Sequence, residues 1–237
     1  MSNLNMPSAA QFMPKTKKPQ KWYTGAPHPS NNDKERHFKP HYLSDLEVTH
    51  TDLQEAINAA REWQQRRKEH PGASLLLLGE TGTGKTHIAL SALTCFALKL
   101  DGEIIGHSGR FYTATDLLAK YNSGSDIVTK TGHFIRDDCP LVVIDDVGTE
   151  MKLPYIAEVA QQNEIRNRYY RFIDYCYTNE ISVIMTCNNL DIDGLGEYLG
   201  DRNWSRLGQM APEGFVCDLY DVPDYRTAKS GRSKESQ

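Results

Sequence analysis

Eight consecutive residues, Gly79-Glu80-Thr81-Gly82-Thr83-Gly84-Lys85-Thr86, have the types and spacing needed to hold a polyphosphate. They complete the pattern G-x-x-x-x-G-K-[ST], in which glycines let backbone N–H groups surround phosphate oxygens. The N-terminus of a following helix adds a favourable dipole. Lys85 supplies an ammonium for the β- and γ-phosphates, and Thr86 a hydroxyl for a cation. The ligand so implied is ATP with Mg²⁺.

A second constellation follows at Leu141-Val142-Val143-Ile144-Asp145-Asp146, an apolar run ending in two carboxylates. Such a run predicts a buried strand whose carboxyl end, the ligand-binding edge of an open α/β sheet, carries both acids. It resembles a Walker B motif. Asp145 is the expected Mg²⁺ partner through water, and Asp146 stands where a carboxylate can polarise an attacking water. Glu150 is the next candidate base. The run Ile181 to Asn188 repeats the design, a β-branched strand ending in a small polar residue, with Asn188 first in place and Asn189 its rival. Further on, Arg206 is the preferred arginine finger and Arg202 the alternative, because a planar, always-protonated guanidinium can be delivered to a γ-phosphate.

These residues need a scaffold, and the hydrophobic pattern supplies one. Thr51 to Arg67 predicts a helix that Pro71-Gly72 ends. Leu75 to Leu78 is wholly apolar, as a strand covered on both faces must be. Lys85 to Leu100 predicts a buried helix, Arg110 to Thr113 a strand, and Thr115 to Tyr121 a helix capped by Thr113 or Thr115. Leu141 to Ile144 and Ile181 to Met185 are strands, Tyr155 to Tyr177 is mainly helical, and Phe215 to Leu219 is a candidate fifth strand. Alternating strand and helix predicts an α/β fold, a parallel sheet with helices on both faces.

Charge is unevenly divided. Residues 1–40 carry +5 and residues 226–237 carry +3, leaving -12 for residues 41–225 of a chain whose net charge is -4. Basic arms flanking an acidic body permit nucleic-acid contact through the arms. Six of the eleven prolines fall in the first forty residues, beside Ser, Asn and Lys, with no hydrophobic period. The expected organisation is therefore a basic, proline-rich, disordered arm over residues 1–41, an ATPase domain over 42–225, and a basic disordered tail over 226–237. Phe12, Trp22 and Tyr23 in the arm could anchor on a partner or stack on bases. Five scattered cysteines lack any CxxC spacing and suit reduced thiols. No apolar run approaches the length of a membrane span and no signal peptide is evident, so the expected location is the cytoplasm, without membrane association.

Taken together, the Gly-Glu-Thr-Gly-Thr-Gly-Lys-Thr-His segment, Val143 to Gly148, Thr186 to Leu190, Ser205-Arg206-Leu207 and Asp224-Tyr225-Arg226 resemble the DnaC/IstB family of AAA+ ATPases. The resemblance covers about Tyr42 to Arg226. It implies a three-layer αβα P-loop sandwich of AAA+ type with a five-stranded parallel sheet, and ATP at a subunit boundary. It also implies homo-oligomers in ring or spiral form. Asn188 then corresponds to the sensor residue that contacts the γ-phosphate or its water, and Arg206 to the Box VII arginine finger. The basic arm replaces the helical amino-terminal domain usual in transposition helpers. No room remains for a helical lid, which leaves Arg226 only a remote candidate for a sensor-2 arginine. The expected function is loading of a replicative helicase onto single-stranded DNA, with ATP hydrolysis as a conformational switch. Alternatives are an IstB-like helper of a DNA transposase and a small-molecule P-loop kinase.

Overall fold

The computed structural model describes residues 41–97, 109–115, 117, 141–152, 159–188 and 190–225. Residues 1–40 of the expected arm and the whole expected tail therefore lie outside the described residues, as do Asn189, Arg226, most of the helix expected over 115–121 and the start of that expected at Tyr155.

Helix α1 (Thr51–Glu69) begins after His50, whose extended backbone (φ -143°) lets its ring nitrogen accept from Asp52 N. Leu53, Ala56, Ile57, Ala60 and Trp63 are buried, the 3.6-residue stripe of a helix that covers a core. Trp63 Nε1 donates to Ala73 O at 2.7 Å, fixing the turn that delivers the chain to β1 (Leu75–Leu78). Gly72, at φ +86°, takes a left-handed conformation in that turn. After the phosphate loop comes α2 (Lys85–Ala97), then β2 (Arg110–Thr113) and β3 (Leu141–Val147). Helix α3 (Val159–Thr178) buries Ile165, Tyr169, Phe172, Ile173 and Cys176 on one side. Strand β4 (Ser182–Cys187), α4 (Ile192–Leu199), α5 (Asp201–Met210) and β5 (Val216–Asp218) complete the order.

The five strands form one parallel sheet in the order β2-β3-β4-β1-β5. β1 and β4 are buried along their whole length, as expected for central strands covered on both faces. Ser74 stitches the amino edge together: its hydroxyl donates to Gly72 O and accepts from Val183 N at 2.9 Å. The helices α1 and α2 pack on each other, and α3, α4 and α5 form a second packed group. This is the three-layer αβα P-loop sandwich of AAA+ type that the sequence leads one to expect.

Within the described residues the expected strands at 75–78 and 110–113 have the observed limits. β3 runs three residues beyond Ile144, carrying both aspartates inside the strand. The hydrophobic pattern predicts no helix between β4 and β5, where α4 and α5 stand. Both are short, and α4 contains Gly194 and Gly196, which lower helix propensity. The Asp191 side chain compensates by accepting from Gly194 N at 2.8 Å, capping α4.

Candidate nucleotide site

β1 ends at Leu78, and the phosphate loop leaves from the carboxyl edge of the sheet. Gly79 (φ +144°) lies so close to Leu219 that a Cβ would meet its carbonyl carbon at 2.7 Å. Gly82 (φ +89°) is tighter still, since a Cβ there would stand 2.0 Å from Asp224 Oδ1. Tyr225 N also donates to Gly82 O at 3.1 Å. The Asp224-Tyr225 pair is thus seated on the phosphate loop.

Lys85 is only 4% exposed. Its Nζ donates to Gly79 O at 2.8 Å, Glu80 O at 2.5 Å and Thr83 Oγ1 at 3.3 Å, so its ammonium is held inside its own loop. Burial lowers its pKa, against the opposing pull of Asp146 and Asp145. Thr86 Oγ1 donates to Asp145 Oδ1 at 2.9 Å, which brings the phosphate loop and the end of β3 together although β4 lies between their strands.

The intervening strand supplies a residue that sequence reasoning missed. Thr186 Oγ1 donates to the same Asp145 Oδ1 at 2.6 Å and accepts from Asp146 N at 2.9 Å. A wholly buried threonine between Met185 and Cys187 needs hydrogen-bond partners. That requirement was the available signal.

Asp146 owes its place to a β-bulge. Ile144 pairs with Met185 and Val147 with Cys187, so β3 spends one more residue than β4 between those pairs. The extra residue falls at the carboxylates, and Asp146 takes φ +61°, a left-handed conformation that aspartate tolerates better than most residues. Asn188 Nδ2 donates to Asp146 Oδ1, joining the end of β4 to the second acid. The structure therefore brings together Lys85, Thr86, Asp145, Asp146 and Asn188.

It does not bring Arg206 or Arg202 to that cluster within the chain. Arg206 Nη2 pairs with Asp174 Oδ1 of α3 at 2.6 Å, and its guanidinium lies 5.1 Å from the Tyr170 ring centre. Arg202 stands over the same ring at 4.0 Å. The last carbonyl of α5, on Met210, accepts from Ser74 N at the amino edge of β1, opposite the edge the phosphate loop leaves. Arg206 sits one turn before that end. Glu150 is not a free base either, being fully buried among three hydrogen-bond donors.

Two hydroxyls and a buried carboxylate beside a glycine-rich cradle make a hard oxygen set that suits Mg²⁺. Thr86 and Asp145 would hold the cation, which would neutralise phosphate charge. Asp146, held by Asn188, is the carboxylate that would orient water.

No family model and no curated protein matches the sequence. Solved structures do match. The DnaC helicase loader aligns over 76% of this chain and 96% of its own, with TM-score 0.57 and 22% identity. DnaI aligns over 76% of this chain and 90% of its own, with TM-score 0.56 and 18% identity. Domain III of the Thermotoga maritima replication initiation protein DnaA aligns over 83% of this chain and 75% of its own, with TM-score 0.55 and 19% identity.

Asp145 yields a pH test. Burial pushes its carboxyl up to about 6; the Thr186 hydrogen bond opposes this, Asp146 adds to it, and Thr86 and Lys85 pull it down. In the folded chain the carboxylate is formed above about 6 and a proton competes with the cation below it. Mg²⁺ titrated by calorimetry into the nucleotide-bound protein should therefore bind more weakly as pH falls through that value. Asp145→Asn should bind Mg²⁺ weakly at every pH and keep only the slope due to the nucleotide's own phosphates. An identical pH slope in both proteins would remove Asp145 from the cation site. The likeness to these solved structures, all under 25% identical, is one of fold: the chain has the AAA+ fold that the DnaC helicase loader, DnaI and DnaA domain III share.

Proposed function

We propose that this chain is an Mg·ATP-dependent switch of the DnaC type that loads a replicative helicase onto single-stranded DNA in the cytoplasm. The observation that carries the reading is the convergence of Lys85, Thr86, Asp145, Asp146 and Asn188 on one sheet edge, while Arg206 is held elsewhere. One chain supplies cradle, cation ligands and water-orienting acid. The guanidinium that stabilises transferred-phosphoryl charge comes from a neighbouring copy.

In this reading nucleotide binds at a boundary between subunits, and its hydrolysis changes how copies fit together. A homo-oligomer in ring or spiral form follows, closed around a DNA strand. The fold likeness to the DnaC helicase loader supports the choice of partner, and the basic residues 1–40 are the segment proposed to grip it. Phosphate neutralisation by such arms makes DNA binding salt-dependent. Among the described residues no helix is long and apolar enough to cross a membrane.

Loading is tested by incubating the chain, ATP, a replicative helicase and a single-stranded DNA circle, then isolating the circle. Helicase should be retained on the circle with the full chain and lost with Lys85→Ala or on deletion of residues 1–40. Retention unchanged by the deletion would remove the arm from partner capture, and retention without ATP would remove the switch.

The shared site is tested by mixing. Lys85→Ala subunits should be inactive alone because they bind ATP poorly, and Arg206→Ala subunits because an arginine finger is worth about 10³–10⁵ in rate. Mixed assemblies contain interfaces that pair a sound loop with a sound arginine, so activity should partly return. Mixed assemblies, seen by native mass spectrometry, that recover no activity would show that Arg206 does not act on a neighbour.

A further inference from the structure

Glu150 lies four residues after Asp146, and its side chain is fully buried. Burying a carboxylate is costly unless its oxygens are satisfied. Here Oε1 accepts from Tyr169 OH at 2.6 Å and Tyr198 OH at 2.5 Å, and Oε2 accepts from Gly148 N at 2.8 Å. Burial, together with Glu150 itself, raises the pKa of both phenols, so they remain protonated donors. The three donors come from three places: the turn after β3, helix α3 and helix α4.

That choice of partners matters for the two strand ends. Gly148 N is the second amide after Asp146, and Thr149 Oγ1 donates back to Asp146 O at 2.7 Å, so Glu150 closes the turn that fixes the bulge. Tyr198 belongs to the helix that follows Asn188 with a short connection, and Leu190 of that connection packs on Gly148, where a Cβ would meet its Cδ1 at 2.9 Å. The far end of α4 is tied to α3 as well, Arg166 donating to Tyr198 O at 3.0 Å and Glu197 O at 2.9 Å. A wholly buried acid thus fastens the segment after Asp146 to the helix after Asn188.

We infer that Glu150, clasped by Tyr169, Tyr198 and the Gly148 amide, is a positioning residue that holds the Asp146 carboxylate and its Asn188 partner in register for ATP hydrolysis. The inference rests on the ATPase reading and adds a residue to it. Both Glu150 oxygens are taken up by donors of the protein, so it acts through the turn and through the helix after Asn188. Its loss should leave the phosphate loop intact and misplace the water-orienting acid. Displacements of ~1 Å can cost about a hundredfold in rate.

The test compares Glu150→Gln, Tyr198→Phe and Asp146→Asn with the wild-type chain. An amide offers one acceptor oxygen, so in Glu150→Gln either the phenols or Gly148 N lose their partner. ATP affinity by calorimetry should stay within about twofold while kcat falls about tenfold to a hundredfold, since the effect is on orientation. Hydrogen exchange at the Gly148 amide should quicken, with β1 and β4 as protected as before. Tyr198→Phe, which keeps the carboxylate and removes one hydroxyl, should move kcat in the same direction by less, and it decides the matter if Glu150→Gln fails to fold. Wild-type kcat with unchanged Gly148 exchange would overturn the inference, as would a loss of ATP affinity equal to the loss of turnover. Should Asp146→Asn turn over ATP at the wild-type rate, the acid is wrongly assigned and Glu150 does not act through it. Should the wild-type chain hydrolyse no ATP, the ATPase reading fails, and exchange at Gly148 alone decides whether Glu150 holds the turn.

Discussion

Successive residues of a β-strand point to opposite faces, so two adjacent carboxylates cannot serve one site unless the strand is bent. The candidate site depends on how this chain meets that constraint. Between Ile144 and Val147 the third strand carries one residue more than its neighbour, and Asp146 turns into a left-handed conformation. Asp145 keeps its place opposite Thr113 and faces the phosphate loop, while Asp146 is re-aimed toward Asn188. A left-handed non-glycine residue is retained only where its surroundings over-determine it. Here Thr186 binds its amide, Thr149 its carbonyl and Asn188 its side chain.

The strand order makes this bracing possible. Because β4 is inserted between β1 and β3, a threonine on it can reach both acids, and an asparagine at its end can reach the second. Thr86, from the loop after β1, then completes the bridge on Asp145. Three strand ends converge on two carboxylates, and polar groups that would be costly to bury singly satisfy one another. On the opposite side, α5 turns the exposed Arg202 and the half-buried Arg206 onto the half-buried Tyr170 and Asp174.

Much of this was legible in the sequence because it is written in periodicities. Leu75 to Leu78 and Arg110 to Thr113 could be placed to the residue, and the phosphate loop follows from spacing alone. The bulge was not legible, since Val143-Ile144-Asp145-Asp146-Val147 reads equally well as a regular strand, and only its register against Met185 and Cys187 reveals the extra residue. Apart from its place in a buried strand, Thr186 gives no signal in the sequence, because a lone threonine in a strand reads as a β-former rather than as a partner. The helices α4 and α5 escaped because glycines interrupt their pattern and capping, invisible in hydropathy, sustains α4. Glu150 looked like a spare base by position. Burial and its three donors make it a fastener.

The most direct measurement is Mg²⁺-dependent ATP binding by Thr186→Val, which keeps the β-branched shape in β4 and deletes only the hydroxyl that joins the two acids. If that hydroxyl sets both carboxylates, ATP should bind without metal as it does to the wild-type chain. The gain in affinity on adding Mg²⁺ should fall by about tenfold, the order expected for one lost hydrogen bond to a charged group, and turnover should fall with it. A folded Thr186→Val protein with the full Mg²⁺-dependent gain and wild-type turnover would contradict the account, because the two acids would then be placed without their shared brace.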